Sequence, residues 1–247
     1  MLNSCRIFLT WGVKFSFLLL LAMLFVRTAE AATYNLSSGS YPPCNSSWSV
    51  SGSTYTCGAR VSLGTGDIIT ASGNVTIYAN DGFSLANNTT VGSASVAINL
   101  TSNYGTITSS GTTTVYGTVN AGSGVVTLNN AVINGALTST GNINLTGGSV
   151  SGLVTSTSNT ITTNGTNLSG GATAQSGMSI TGGTLAGNFT MTANNAVTFS
   201  GVTMTSGSIT GASTVTIQNG SVMGSSSNAI TVSSNNGAIT VNNSTVY

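Results

Sequence analysis

The chain has 247 residues with four basic and three acidic side chains, no histidine, and a net charge of +1. Charged residues make up only 3% of it, so no basic field exists to attract nucleic acid or an anionic membrane. From Gly82 to Tyr247 there is no Asp, Glu, Lys, Arg, His, Pro or Cys, which leaves that stretch without a strong acid, base or metal ligand.

The first 31 residues read as a secretory signal. Arg6 and Lys14 form a positive start, Phe15 to Val26 an apolar core, and Ala29-Glu30-Ala31 a cleavage motif, with the cut between Ala31 and Ala32. The apolar core is shorter than the ~20 residues that span a bilayer, so the reading is a cleaved signal and no membrane span afterwards. The chain is expected to be exported, to the periplasm, the outer surface or the medium.

Residues 32–73 are expected to form a small N-terminal cap. They hold Trp48, Pro42-Pro43, and the two cysteines left after cleavage, Cys44 and Cys57. In an exported protein such a pair reads as a disulfide. With no second Cys or His pair, no zinc site is expected, and no cofactor.

Residues 74–247 are repetitive. Gly117, Gly135, Gly152, Gly170, Gly187, Gly207 and Gly224 are separated by 18, 17, 18, 17, 20 and 17 residues. Most follow an aliphatic by two positions: Val115, Ile133, Val150, Leu168, Leu185 and Val222. Between them lie alternating triplets such as Ile143-Asn-Leu145, Met178-Ser-Ile180, Val197-Thr-Phe199, Val215-Thr-Ile217 and Ile230-Thr-Val232, with Val75-Thr-Ile77 and Val96-Ala-Ile98 upstream. A fixed period near 17–18 marks a solenoid. Each triplet is a short strand with one face inward, and Gly, Asn-Gly, Gly-Gly and Asn-Asn supply the corners.

The expected fold is therefore all-β: a single-stranded parallel β-helix of 17–18 residues per coil, with eight or nine coils making a rod roughly 40 Å long. Within one unit the apolar positions Ile133, Leu137, Ile143, Leu145 and Val150 do not follow a six-residue repeat, which points to the right-handed form. A β-sandwich of the same strands is the competing architecture, and the glycine spacing argues against it. Neutral residues on the coil surface follow from stacking, because a charge repeated at each level would repel itself. Ser, Thr and Asn can hydrogen-bond along the stack instead. The C-terminal coil is expected to end uncapped, as the front part of a longer design.

Asp67 and Asp81 are the only carboxyl side chains after the signal. A glycosidase needs two such groups across one bond. Gly66-Asp67 and Asp81-Gly82 look instead like turns. The serines lack a His or Lys base. No catalytic, cofactor or metal residue is assigned, and the chain is read as a non-enzyme. Outward Thr-x-Thr pairs with an apolar centre (Thr106–Thr108, Thr160–Thr162, Thr190–Thr192, Thr203–Thr205, Thr214–Thr216) suggest ice binding, but their spacing does not give one per coil. Asn-x-Ser/Thr triplets, Asn144-Leu-Thr146 among them, follow from composition.

The opening Ala32-Thr-Tyr-Asn-Leu36, Tyr41-Pro-Pro-Cys44 and Ser53-Thr-Tyr-Thr-Cys57, leading into Gly73-Asn-Val-Thr-Ile77, resembles the N-terminal region of MshQ-like proteins. These are encoded with the mannose-sensitive haemagglutinin (MSHA) type IV pilus. The resemblance implies pilus biogenesis or a cell-surface role, with pilus or cell-envelope components as partners, and it brings no catalytic residues. An independent adhesin, or a surface that binds glycan or ice, is the alternative, and a polysaccharide-active β-helix enzyme the remote one.

Overall fold

The computed structural model describes residues 30–247. The signal segment expected over residues 1–29 lies outside the described residues. Residues 31–247 form one compact body.

That body is a β-solenoid of ten levels. Each level has three short strands, one on each of three faces, and apart from the antiparallel Trp48–Ser51 in the cap the strands pair in parallel with their equivalents above and below. The first face is a ten-stranded sheet running from Val61–Leu63 to Ile239–Val241. The second face begins with Thr33–Asn35 on Ile68–Thr70 and ends at Thr245–Val246. The third includes Thr54–Cys57, Val75–Ala79, Leu137–Ser139 and Thr231–Ser234. Two long strands, Thr184–Met191 and Thr203–Gly211, run through the corner and serve both the second and third faces.

Alternation explains the strands. Along the first face Ile143, Ile161, Met178, Val197 and Val215 stack inward, each buried, and the residue after each points outward. Each such side chain, taken fully from water, contributes roughly 1.5–3 kcal/mol. Phe189 and Phe199 meet edge to face across the core, with ring centroids 5.6 Å apart. The expected corner residues are there: Asn88, Asn130, Asn219 and Asn243 have positive φ beside glycines such as Gly147, Gly148 and Gly220.

The recurrent glycines turn out to form a column. Gly117 to Gly207 sit at the corner between the second and third faces, and from Gly135 on each lies directly against its equivalent one level below. A Cβ on Gly152 would come within 2.6 Å of the Ala136 nitrogen and 2.7 Å of the Gly135 carbonyl carbon. One on Gly187 would come within 2.7 Å of the Gly171 nitrogen. The column ends at Gly207. Gly224 opens a different loop, in which Ser225 and Asn228 exchange backbone hydrogen bonds of 2.9 and 3.1 Å. Its twin, Gly92 with Ser93 and Val96, lies near the other end of the rod.

These loops explain where the register departs from the expected 17–18. Through the middle levels the repeat is 17 to 19 residues (Ile143 to Ile161 is 18), but near the ends it reaches 24, from Phe83 to Ile107 and from Val215 to Ile239. Val96 belongs to such a loop, and the strand is Ile98–Ser102. Ile230 likewise precedes its strand. Val222 points outward, 37% exposed, while Met223 takes the core position above Met204. A one-residue shift between Leu185 and Ala186 accommodates Thr205 and, with two residues added before Val197, lengthens the glycine interval to 20.

The stacking also begins earlier than the expected boundary at Gly73: Val61–Leu63 and Ile68–Thr70 already belong to the ladders. The cap proper is residues 32–58, and it covers the base of all three faces. Thr33–Asn35 pairs with the second face. Trp48–Ser51 pairs antiparallel with Thr54–Cys57 below the third. Pro43 and Arg60 carbonyls accept from Ser62 and Asn45, closing the first. Leu36, in a short 3-10 turn, plugs the core at 1% exposure. The disulfide Cys44–Cys57, with Cα atoms 6.0 Å apart, ties these pieces together. Covered edges of this kind block pairing with other chains. At the other end Ile239 and Val241 continue the inward stack yet stand 45% exposed.

Two outcomes follow for stability. Gly152→Ala must force two levels apart and should cost about 1–3 kcal/mol in urea unfolding, whereas Gly73→Ala, with nothing within 4 Å of the new Cβ, should be near neutral. Thr163 faces the core between Leu145 and Ile180, and its buried hydroxyl has no hydrogen-bond partner. Thr163→Val should therefore raise stability by about 1 kcal/mol, read as a higher urea midpoint at unchanged slope.

Candidate functional site

The outward positions are where a solenoid meets its surroundings, and stacking turns each into a ladder. On the first face one ladder reads Thr108, Thr127, Asn144, Thr162, Ser179, Thr198, Thr216 and Thr240. A second runs beside it through Asn129, Thr146, Asn164, Thr181, Ser200 and Gln218. On the third face Asn120, Thr138, Thr155, Thr173, Thr190 and Thr210 stack in consecutive levels. Paired strands place these side chains about 4.8 Å apart along the rod.

The third-face ladder has a partial second column. Thr140, Thr157, Gln175 and Thr192 each follow a ladder threonine by two positions, and all four are exposed. The residues between are Ser139, Ser156, Ala174 and Met191, all buried and three of them small. The Ser139 and Ser156 hydroxyls donate to the carbonyls of Gly124 and Gly141 and hold the next turn. A search for threonine pairs around an apolar residue misses Thr138-Ser-Thr140 and Thr155-Ser-Thr157 because the inward residue is a hydroxyl. Their 17-residue separation was the available signal. The apolar-centred pairs fall on three different faces, which is why their spacing looked irregular: Thr106–Thr108, Thr160–Thr162 and Thr214–Thr216 at the first, Thr190–Thr192 at the third, Thr203–Thr205 at the second.

Hydrogen bonds between levels concentrate at the corners. Asn74, Asn99 and Asn167 side-chain oxygens accept from backbone N–H groups one level on, at Ala97, Thr118 and Thr184, each at 2.8 Å. The Asn142 oxygen accepts the Thr160 hydroxyl at 3.0 Å. Ser and Thr hydroxyls also bond backbone between levels, as Thr140 does to the Gly122 carbonyl and Thr166 to that of Gly147. Most mid-strand hydroxyls are left free to face outward.

The two carboxylates stand at different corners. Asp67 lies in the turn between the first and second faces and is 4% exposed. Its Oδ2 accepts the Gly64 N–H at 2.7 Å and its Oδ1 the Ala32 N–H at 2.8 Å. Asp81 is exposed in the turn between the third and first faces, beside Asn80. The structure does not bring them together across a cleft. The Tyr34 phenol is held above its ordinary pKa by burial first and then by the negative charge of Asp67. Arg60 points elsewhere, its Nη2 donating to the Thr106 hydroxyl at 3.3 Å. Among the described residues no group of three His, Cys, Asp or Glu could hold a metal ion, and no helix is long and apolar enough to cross a membrane. A shallow, open depression lies beside the Ser93–Ser95 loop, lined by Asn74, Tyr116, Gly117 and Asn134. It carries no charged group.

No protein-family model, no curated protein and no solved structure matches this chain.

Proposed function

We propose that this chain is a non-enzymatic, exported β-solenoid that acts through its surface, as a structural or adhesive element of the cell envelope. The observation that carries the reading is the pair of flat faces whose outward positions repeat Thr, Ser or Asn at nearly every level, without one charge from Gly82 onward. Such faces offer many weak, identical hydrogen-bonding groups over an extended area. That suits avidity for a repetitive partner such as a polymer, a glycan coat or a fibre. The similarity of residues 32–77 to MshQ-like proteins makes the MSHA-type pilus the specific setting. Deleting the gene should reduce surface pili or attachment severalfold, scored by electron microscopy and adhesion to coated surfaces. Normal piliation together with normal attachment would sink this reading.

The third-face threonines favour a second reading. Five threonines in consecutive levels, flanked by the exposed Thr140, Thr157 and Thr192, make a regular hydroxyl lattice of the kind that can order water or dock on ice. Under this reading the purified protein should produce measurable thermal hysteresis, and Thr155→Lys, at the ladder's middle, should remove most of it while leaving the melting temperature nearly unchanged. No hysteresis at millimolar protein would dismiss ice as the ligand.

A further inference from the structure

Among the described residues one buried carboxyl group stands without a cationic partner. Asp67 is 4% exposed, and its carboxylate is met by two backbone N–H groups, of Gly64 and Ala32. Burying a carboxylate is costly unless a cation offsets it. After residue 31 the only cationic side chain is Arg60, and it is turned toward Thr106.

The Ala32 nitrogen is also the atom that cleavage after Ala31 would set free. The motif Ala29-Glu30-Ala31 and the carboxylate thus converge on one bond from independent directions. We infer that Asp67 is the seat of the mature N-terminus: the α-ammonium of Ala32 forms a buried ion pair with it once the signal is removed. The inference rests on the cleaved-signal reading.

The position of that nitrogen is set by the fold and not by the residues before it. The Ala32 carbonyl accepts the Ile68 N–H at 2.8 Å, and Thr33–Asn35 then pairs in register with Ile68–Thr70. Removing residues 1–31 leaves these contacts in place. Cleavage is a hydrolysis by a signal-cleaving protease: the Ala31–Ala32 C–N bond breaks, water supplies hydroxyl to the carbonyl carbon and hydrogen to the nitrogen, and the amine takes up a proton at neutral pH as the new carboxylate loses one. The neutral N–H at 2.8 Å from Oδ1 thereby becomes a charged donor, and charge-assisted bonds are roughly twice as strong. Tyr34 is the other titratable group at this site, and it is neutral at the pH of the test. Processing would lock the first strand of the cap onto the second face.

The chain offers a selective test, because no lysine follows residue 31 and the α-amine is its only acylable amine. The full-length gene is expressed with export, and the first residue of the purified product is read by mass spectrometry. The processed protein and its Asp67→Asn variant are then treated with acetic anhydride at pH 7. The product should begin at Ala32. Its α-amine should react about tenfold more slowly than in Asp67→Asn, and acetylation should raise the unfolding equilibrium constant about tenfold in the native sequence but not in the variant. Equal reaction rates, or an equal effect of acetylation on both proteins, would overturn the ion pair. A product beginning at another residue would overturn the cleavage reading, and this role for Asp67 with it.

Discussion

The whole structure depends on strands stacking in register with their own repeats. A single level of three short strands encloses too little apolar area to stand alone. Ten levels share one continuous core because each backbone N–H and C=O finds its partner in the level above or below. That requires the levels to approach at sheet spacing everywhere, corners included. At the corner between the second and third faces the backbones come so close that Gly135, Gly152, Gly170 and Gly187 have no room for a Cβ. The glycine column is therefore a steric consequence of the stacking.

The same constraint dictates the chemistry of the surface. Whatever residue points outward in one level faces its counterpart at about 4.8 Å in the next. Charges cannot be repeated at that distance without mutual repulsion, whereas threonine favours the extended backbone and tolerates its own neighbour. The surface becomes ladders of hydroxyls and amides. The three charged side chains after residue 31 sit near the capped end: Arg60 and Asp81 in corner turns, and Asp67 enclosed beneath the first strand. If the Asp67 carboxylate receives the mature N-terminus, the capped end is completed by processing, and the neutral rod beyond it needs no charge at all.

Much of this was legible in the residues alone. The glycine interval announced a solenoid, the alternating triplets its strands, and the Cys44–Cys57 pair its staple. The alternation of Ile143-Asn-Leu145 identifies which side chain is inward whatever the fold, because the side-chain period of a strand is two. The Asn-Asn and Gly-Gly corners are equally local, since only those residues enter the left-handed region at low cost. Other features needed the register. Val222 and Met223 are both apolar neighbours, and only the pairing with Thr203 and Met204 decides that Met223 is the core residue. Thr138 and Thr155 look like members of an unremarkable serine- and threonine-rich stretch until the third face aligns them.

Composition and periodicity thus determined the fold class, the corners and the neutrality of the surface, because these depend on local backbone preference and on a repeat that can be counted. Tertiary structure decided which residues share a face, where the insertions at Gly92 and Gly224 are absorbed, and that Asp67 lies against the backbone of Ala32, 35 residues away. Those relations depend on how many residues each corner takes up. One extra residue in a turn moves every later side chain relative to its neighbour, and no single level records that sum.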